Sequence, residues 1–183
     1  VWIALFDGYV SNSGDKFLDA LLSKGGMSSM LNTVWLIISA LGFGGVLERT
    51  GILSYLLNLA LRGVKSVGSL ITTTVLTCIG TNILAADQFI AVALPGRMYK
   101  DAYAAKNLSR LNLSRTLEDS ATMTSALIPW NTCGAYMSAT LGVATFTYAP
   151  YAFFNLLSPL IAIIYGYTHF ALKPASYDLD NRS

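Results

Sequence analysis

The chain has 183 residues, of which 54% are hydrophobic and 12% charged, and its mean hydropathy is +0.52. A soluble domain carries about twice that charge fraction, so the composition excludes an ordinary water-soluble fold and points to an integral membrane protein. The net charge of +2 decides little, because in a membrane protein the placement of basic residues matters more than their sum.

In chain order, the opening "VWIALF" reads as the tail of an apolar segment, and residues 1–183 read as one membrane domain cut from a longer chain, with no signal peptide to interpret. Residues 7–26 are polar and read as a loop. Residues 27–48 are long and apolar enough to cross a bilayer of roughly 30 Å, with Glu48 and Arg49 closing the span at a water interface. The apolar core of 51–63 is too short to cross, ends in Arg62 with Lys65 beyond it, and predicts a helix lying in the interface.

The stretch 66–96 is apolar and hydroxyl-rich, and basic residues bound it at both ends: Arg62 and Lys65, then Arg97 and Lys100. Two full spans need about 40 residues plus a turn, and one span would separate the basic clusters across the membrane. A re-entrant helical hairpin satisfies both constraints. Its arms would be about 14 residues, or roughly 20 Å, and the Gly80-Thr81-Asn82 triplet would form its tip. Turn backbone cannot face lipid, so that tip must be buried in protein or line a wet cavity.

Residues 97–115 form a basic connector. Residues 116–143 are long enough to span but are interrupted by Pro129-Trp130-Asn131, which predicts a discontinuous helix with an unwound middle. Residues 151–170 form a last span before a polar tail. With the connector cytoplasmic, Arg49, Arg62, Lys65, Arg97, Lys100, Lys106, Arg110, Arg115, Lys173 and Arg182 all fall inside, and only Lys16 and Lys24 fall outside. That distribution follows the positive-inside tendency and puts the C-terminus in the cytoplasm.

The polar residues collect at the two interruptions. Thr77, Thr81, Asn82, Asp87 and Gln88 surround the first; Glu118, Asp119, Ser120, Thr122, Thr124, Ser125, Asn131 and Thr132 line the second. Hydroxyls, amide oxygens, freed carbonyls and carboxylates are what a hard cation prefers, and broken helices at the midplane are where secondary transporters hold ions. A single Thr or Ser in a membrane helix carries little weight, since it often bonds its own backbone. Asp87 is the strongest candidate, because an ionised carboxylate in an apolar run is costly unless a cation or a proton compensates it. Asp119, Thr122 and Ala126 share a helix face leading to the break, whereas Glu118 and Asp119 in a first helical turn would also oppose the macrodipole and pair with Arg115. Gly80 and Gly134 read as sources of backbone freedom at a tip and a restart, and Asn131 and Thr132 as ligands or as caps of the second half-helix. Cys78 and Cys133 read as small buried hydrophobes, and His169 as an interfacial side chain. The absence of a metal-ligand cluster, nucleophile arrangement, phosphate loop or nucleic-acid patch argues against an enzyme and against nucleic-acid binding.

The strings "TNILAADQFIAVALPGRMYKDAY" and "NLSRTLEDSATMTSALIPWNTCGAYMSATLGV" closely resemble the C-terminal part of the NhaC family of bacterial Na+/H+ antiporters, over most of residues 27–172. The resemblance implies an all-α polytopic fold built on a repeat of the ion-transporter superfamily, with a re-entrant hairpin and a discontinuous transmembrane helix. It implies multi-pass insertion in the bacterial inner membrane, exchange of Na+ for H+ without a cofactor, and a further N-terminal part of the transporter. The motif positions Thr81, Asn82, Asp87, Glu118, Asp119, Asn131 and Thr132 are intact, which implies ion or substrate binding there; Thr122, on the helix face of Asp119, completes the candidate set, and Asn82, Asp87, Asp119 and Asn131 are the candidate Na+ ligands. Some relatives couple Na+-lactate efflux to malate and proton uptake, so small organic anions stay open as cargo and a homodimer as an assembly. A membrane-embedded enzyme or receptor subunit is the reading from a different class.

Overall fold

The computed structural model describes residues 2–15, 18, 19, 22, 23, 25–52, 55, 59 and 63–177. Among them the named elements are helical, and Leu108 and Pro174 form an isolated antiparallel bridge. In chain order they are α1 (Trp2–Asp7), α2 (Gly26–Arg49), α3 (Val67–Ala85), α4 (Gln88–Ala105), α5 (Arg110–Leu117), a π-helical turn (Glu118–Thr122), α6 (Met123–Ser125), α7 (Thr132–Leu141), α8 (Thr145–Tyr148), a 3-10 turn (Ala149–Tyr151) and α9 (Phe153–Thr168). Gly26–Leu47 and Val67–Ala85 are each long and apolar enough to cross a membrane, and the segments 145–151 and 153–168 are bent by 60° relative to each other. The interfacial helix expected over 51–63 lies largely outside the described residues. Before α2, the loop expected over 7–26 is partly helical, at Leu18, Asp19 and Leu22, and Asp19 accepts from the Ser13 backbone N–H and from the Ser11 and Ser13 hydroxyls. The Ser13 N–H leads in holding its carboxyl below the ordinary range.

α3 and α4 form an antiparallel helical hairpin. A capping box starts α3, with the Ser66 hydroxyl accepting from Ser69 N–H and the Ser69 hydroxyl from Ser66 N–H. The Thr77 hydroxyl meets Tyr99 Oη at 2.7 Å, and Tyr103 Oη donates to Thr74 Oγ1 at 3.4 Å; stepping back along α3 advances along α4. At the base, Lys106 Nζ donates to the Lys65 carbonyl at 2.9 Å.

The arms are longer than the 14 residues expected, at 19 and 18, or roughly 28 Å and 27 Å at 1.5 Å per residue. The reversal is not at Gly80-Thr81-Asn82, which continue α3. It falls at Ala86, left-handed at φ 55°, and at Asp87, whose side chain caps α4. Nothing at the triplet requires a turn: Thr81 Oγ1 bonds back to the Thr77 carbonyl and Asn82 spends its amide on another helix. Helix α4 also runs through the expected connector, carrying Arg97 and Lys100 on its exposed face before α5 begins at Arg110.

The hairpin packs into a bundle with α5 and α9. A methyl group built on Gly68 would lie 2.6 Å from the Tyr167 ring, and one on Gly166 would lie 3.0 Å from Ile71. Small residues at these positions let α3 and α9 approach closely, the packing that membrane helices favour. The segment after α9 returns to the base of the bundle. Ser109 N–H and Asn112 Nδ2 both donate to the Lys173 carbonyl, Lys173 N–H donates to Asn112 Oδ1, and Ala175 N–H to the Asn107 carbonyl. Lys65, Lys106, Arg110 and Lys173 are thereby gathered at one end.

Two glycines separate the expected roles from the observed ones. Gly80 sits in regular helix with open space where a Cβ would go. Gly80→Ala is therefore expected to raise thermal stability by about 0.5–1 kcal/mol, measured by unfolding in detergent. Gly134 supplies close approach rather than backbone freedom, because a Cβ there would run into the Ile128 carbonyl. Gly134→Ala is expected to cost about 1–3 kcal/mol in the same measurement.

Candidate functional site at the meeting of two helix interruptions

The second interruption occupies residues 126–131, between α6 and α7, where Pro129 cannot continue the helix. It meets the first interruption directly. The last carbonyls of a helix have no partner within it, and at the end of α3 the second break supplies donors for them. Asn131 Nδ2 donates to the Asn82 carbonyl at 3.3 Å, Trp130 Nε1 to the Ile83 carbonyl at 2.9 Å, and Thr132 N–H to the Ala86 carbonyl at 3.0 Å. The unwound chain of one helix thus caps the carbonyl end of another.

Two amides lock this junction. Asn131 Nδ2 also donates to Asn82 Oδ1 at 3.1 Å, while Asn82 Nδ2 donates to the Ala121 carbonyl at 2.7 Å and to Thr124 Oγ1 at 3.1 Å. Both side chains are fully buried. Asn131 Oδ1 accepts from Cys133 N–H at 3.1 Å, which makes Asn131 the N-cap of α7 as well as a clasp. Of the two roles expected of it, ligand or cap, the capping role is the one this bond shows.

Asp87 stands at the same junction, 8% exposed, with Oδ1 accepting from Ile90 N–H at 3.0 Å. The start of α4 therefore compensates the carboxylate through an N–H bond and the positive end of the helix dipole. A cation or proton is not the sole compensation, which the apolar run alone did not reveal. Next to it, Gln88 Oε1 accepts from Ser125 Oγ at 3.3 Å and lies 2.7 Å from Cys133 Sγ, tying α4 to both sides of the break.

Of the eight expected site residues, the structure brings Asn82, Asp87, Asn131 and Thr132 to the junction. Thr81, on the turn before Asn82, is buried and occupied with its own helix. Glu118 is exposed, and Thr122 is half-buried with its carbonyl accepting from Ser125 Oγ. Asp119 faces α9: Arg115 Nε is 3.7 Å from its Oδ2, and Ser158 Oγ donates to its Oδ1 at 3.1 Å. Neither acid occupies a first helical turn. The helix starts at Ser109, which caps it, and the π turn follows α5 without a stop. The π turn breaks the regular face expected to join Asp119, Thr122 and Ala126; such turns recur at functional sites. Arg115 pairs with Asp119, not with Glu118.

Sequence reasoning left Gln88 and Thr124 without a role and missed Trp130, Asn155 and Ser158 as partners. Asn155 Nδ2 donates to the Met123 carbonyl at 2.8 Å, just past the π turn. A Pro next to Trp-Asn marks a break but not which carbonyls its donors will reach. The oxygen set at the junction (the Asp87 carboxylate, the Asn82 and Asn131 amides, the Thr124 hydroxyl and helix-end carbonyls) suits a hard, weakly polarising cation. Among the described residues, no three His, Cys, Asp or Glu side chains group to hold a metal ion.

The geometry has relatives by sequence. The sequence model of the Na+/H+ antiporter family matches residues 1–170. The Na+/H+ antiporter NhaC of Alkalihalophilus pseudofirmus is 38% identical over 91% of this chain and 36% of its own length. The arginine/ornithine antiporter ArcD of Halobacterium salinarum is 35% identical over 91% of the chain and 34% of its own length. The malate-2H+/Na+-lactate antiporter of Bacillus subtilis is 34% identical over 89% of the chain and 35% of its own length. The chain thus spans about a third of the length of these relatives, and no solved structure matches it. With nearly its whole length matched by the family's sequence pattern, the chain belongs to the Na+/H+ antiporter family.

Proposed function

We propose that the protein exchanges Na+ for H+ across the bacterial cytoplasmic membrane and holds the ion where the two helix interruptions meet. The observation that carries this reading is the Asn82–Asn131 clasp beside Asp87. It sets amide and carbonyl oxygens at the ends of broken helices next to the reversal that carries Asp87, which supports an ion site there. One carboxylate that accepts either Na+ or H+, but not both, couples the two fluxes.

The hairpin is read as re-entrant, with its base and the C-terminus cytoplasmic. Arg97 is exposed on α4, roughly 14 Å from Gln88 at 1.5 Å per residue, so the reversal at Ala86 and Asp87 lies well away from the charged part of that helix. Single cysteines replacing Lys65 and Arg97 are expected to react with a membrane-impermeant reagent from the cytoplasmic face. Reaction of the two from opposite faces would end the re-entrant reading.

Organic-anion exchange is the second reading, favoured by the relative named for malate and lactate and by the α7 N-terminus at the junction, whose partial positive charge suits a carboxylate. Full-length protein in proteoliposomes decides between them, with Na+ and malate gradients imposed in turn on the same proton gradient. Proton movement driven by Na+ alone is the expected result; movement that requires malate supports the second reading.

A further inference from the structure

The reversal between α3 and α4 turns at Ala86, at φ 55°, a left-handed conformation that a residue with a Cβ holds only where its surroundings over-determine it. One side of that grip comes from α7, whose Thr132 N–H donates to the Ala86 carbonyl at 3.0 Å. The other comes from α2. Gly44 is buried, and a methyl group built on it would lie 2.6 Å from the Ala85 carbonyl oxygen and 3.4 Å from Ile90 Cδ1. Those two residues flank Asp87, and Ile90 is the one whose N–H the carboxylate accepts from. α2 packs along both α3 and α7, and its Thr33 and Leu36 share a cavity with Pro129 and Ala135. It therefore backs both interruptions.

A side chain at Gly44 would meet backbone, which cannot rotate out of the way, so α2 or the reversal would have to move. Its neighbours on the same helix make no such contact: Gly42 and Gly45 have open space where a Cβ would stand. We propose that Gly44 is a positioning residue of the ion site: it seats α2 against the Asp87 reversal, and that seat fixes the spacing of the oxygens by which the site selects among monovalent cations. Spacing and rigidity of the oxygens are what separate hard cations of equal charge and different size. The inference rests on the reading of the junction as the Na+ site.

The test is equilibrium binding of radioactive sodium to the full-length protein in detergent, with Li+ and K+ as competitors and proton movement measured separately in proteoliposomes. Gly44→Ala is expected to bind Na+ about tenfold more weakly, the scale on which one forced backbone shift is felt, and to change the ratios in which Li+ and K+ displace Na+. Gly42→Ala and Gly45→Ala are expected to keep the wild-type affinity and ratios. A merely structural defect reduces the number of molecules able to bind and leaves those ratios unchanged, so a changed ratio is diagnostic. Ile90→Ala takes away the side chain that faces Gly44 without adding an atom. It is expected to change the ratios too, which keeps the assignment testable should Gly44→Ala fail to insert. Wild-type ratios in an inserted Gly44→Ala, or equal shifts in Gly42→Ala and Gly45→Ala, overturn the assignment. Where Gly44→Ala does not insert, wild-type ratios in Ile90→Ala overturn it. Wild-type protein that binds Na+ but moves no protons removes the exchange reading and leaves Gly44 to be judged by the ratios. Wild-type protein that binds no Na+ overturns both.

Discussion

Asp87→Asn is expected to abolish Na+-driven proton movement by the full-length protein while expression and insertion stay near wild type. The Asp87 side chain does two things, and this substitution separates them. As a cap it accepts from Ile90 N–H, and Asn caps a helix about as well as Asp, so the start of α4 survives. As a carboxylate it carries the charge on which Na+ and H+ compete, and the amide cannot replace that. Asp87→Ala removes both and should cost about 1 kcal/mol of stability in addition. Asp87→Glu keeps the charge at a shifted position and should retain partial exchange with altered Na+ affinity. Flux by the Asn variant at the wild-type rate would reduce Asp87 to a cap. Asp119 would then be the leading carboxylate, since Glu118 is exposed.

Asn131→Ala should be the most damaging single change at the junction. Asn131 is fully buried, caps α7 through Cys133 N–H, and donates to both the carbonyl and the side-chain oxygen of Asn82. Losing the cap costs about 1 kcal/mol, and leaving buried acceptors unpaired adds about 1–3 kcal/mol. The expected result is a thermal midpoint in detergent well below wild type, together with loss of transport. Asn131→Asp dissects the two roles. It keeps an acceptor for Cys133 N–H but sets a carboxylate against Asn82 Oδ1, so the cap should persist while the clasp fails. Wild-type stability and flux in the Ala variant would show that the clasp holds nothing together.

These effects depend on features that were legible to different degrees in the residues themselves. The helix over Gly26–Leu47 announced itself as a long apolar run, whereas the run over 151–170 gave no sign of the 60° bend at its start. The second interruption announced itself as Pro129 inside another such run. The first was legible as a hairpin but not in its turning point. Gly-Thr-Asn carries the chemistry of a turn, whereas the reversal uses Ala86, a residue with no such signal, in a left-handed conformation. Asp87 followed by an apolar run is also the local signature of a helix cap, and the intramembrane acid drew attention away from it. The π turn left no mark in the pattern, because its extra residue is compensated by contacts from distant helices: Asn82 on Ala121, Asn155 on Met123 and Ser158 on Asp119. Such long-range partners are settled by packing, which periodicity does not encode. The basic residues from 97 to 115 read as a connector because charge suggests loop, but an exposed helical face carries charge equally well.

The central claim is that Na+ and H+ compete for Asp87 at the meeting of the two interruptions, and Na+ binding as a function of pH tests it most directly. Radioactive-sodium binding to the purified full-length protein should weaken steadily as pH falls, because each proton taken up by the carboxylate removes a site for Na+. In Asp87→Asn, binding at high pH should be largely lost and the residual binding should be insensitive to pH. Sodium binding that is independent of pH in the wild-type protein, or unchanged in Asp87→Asn, would contradict the account.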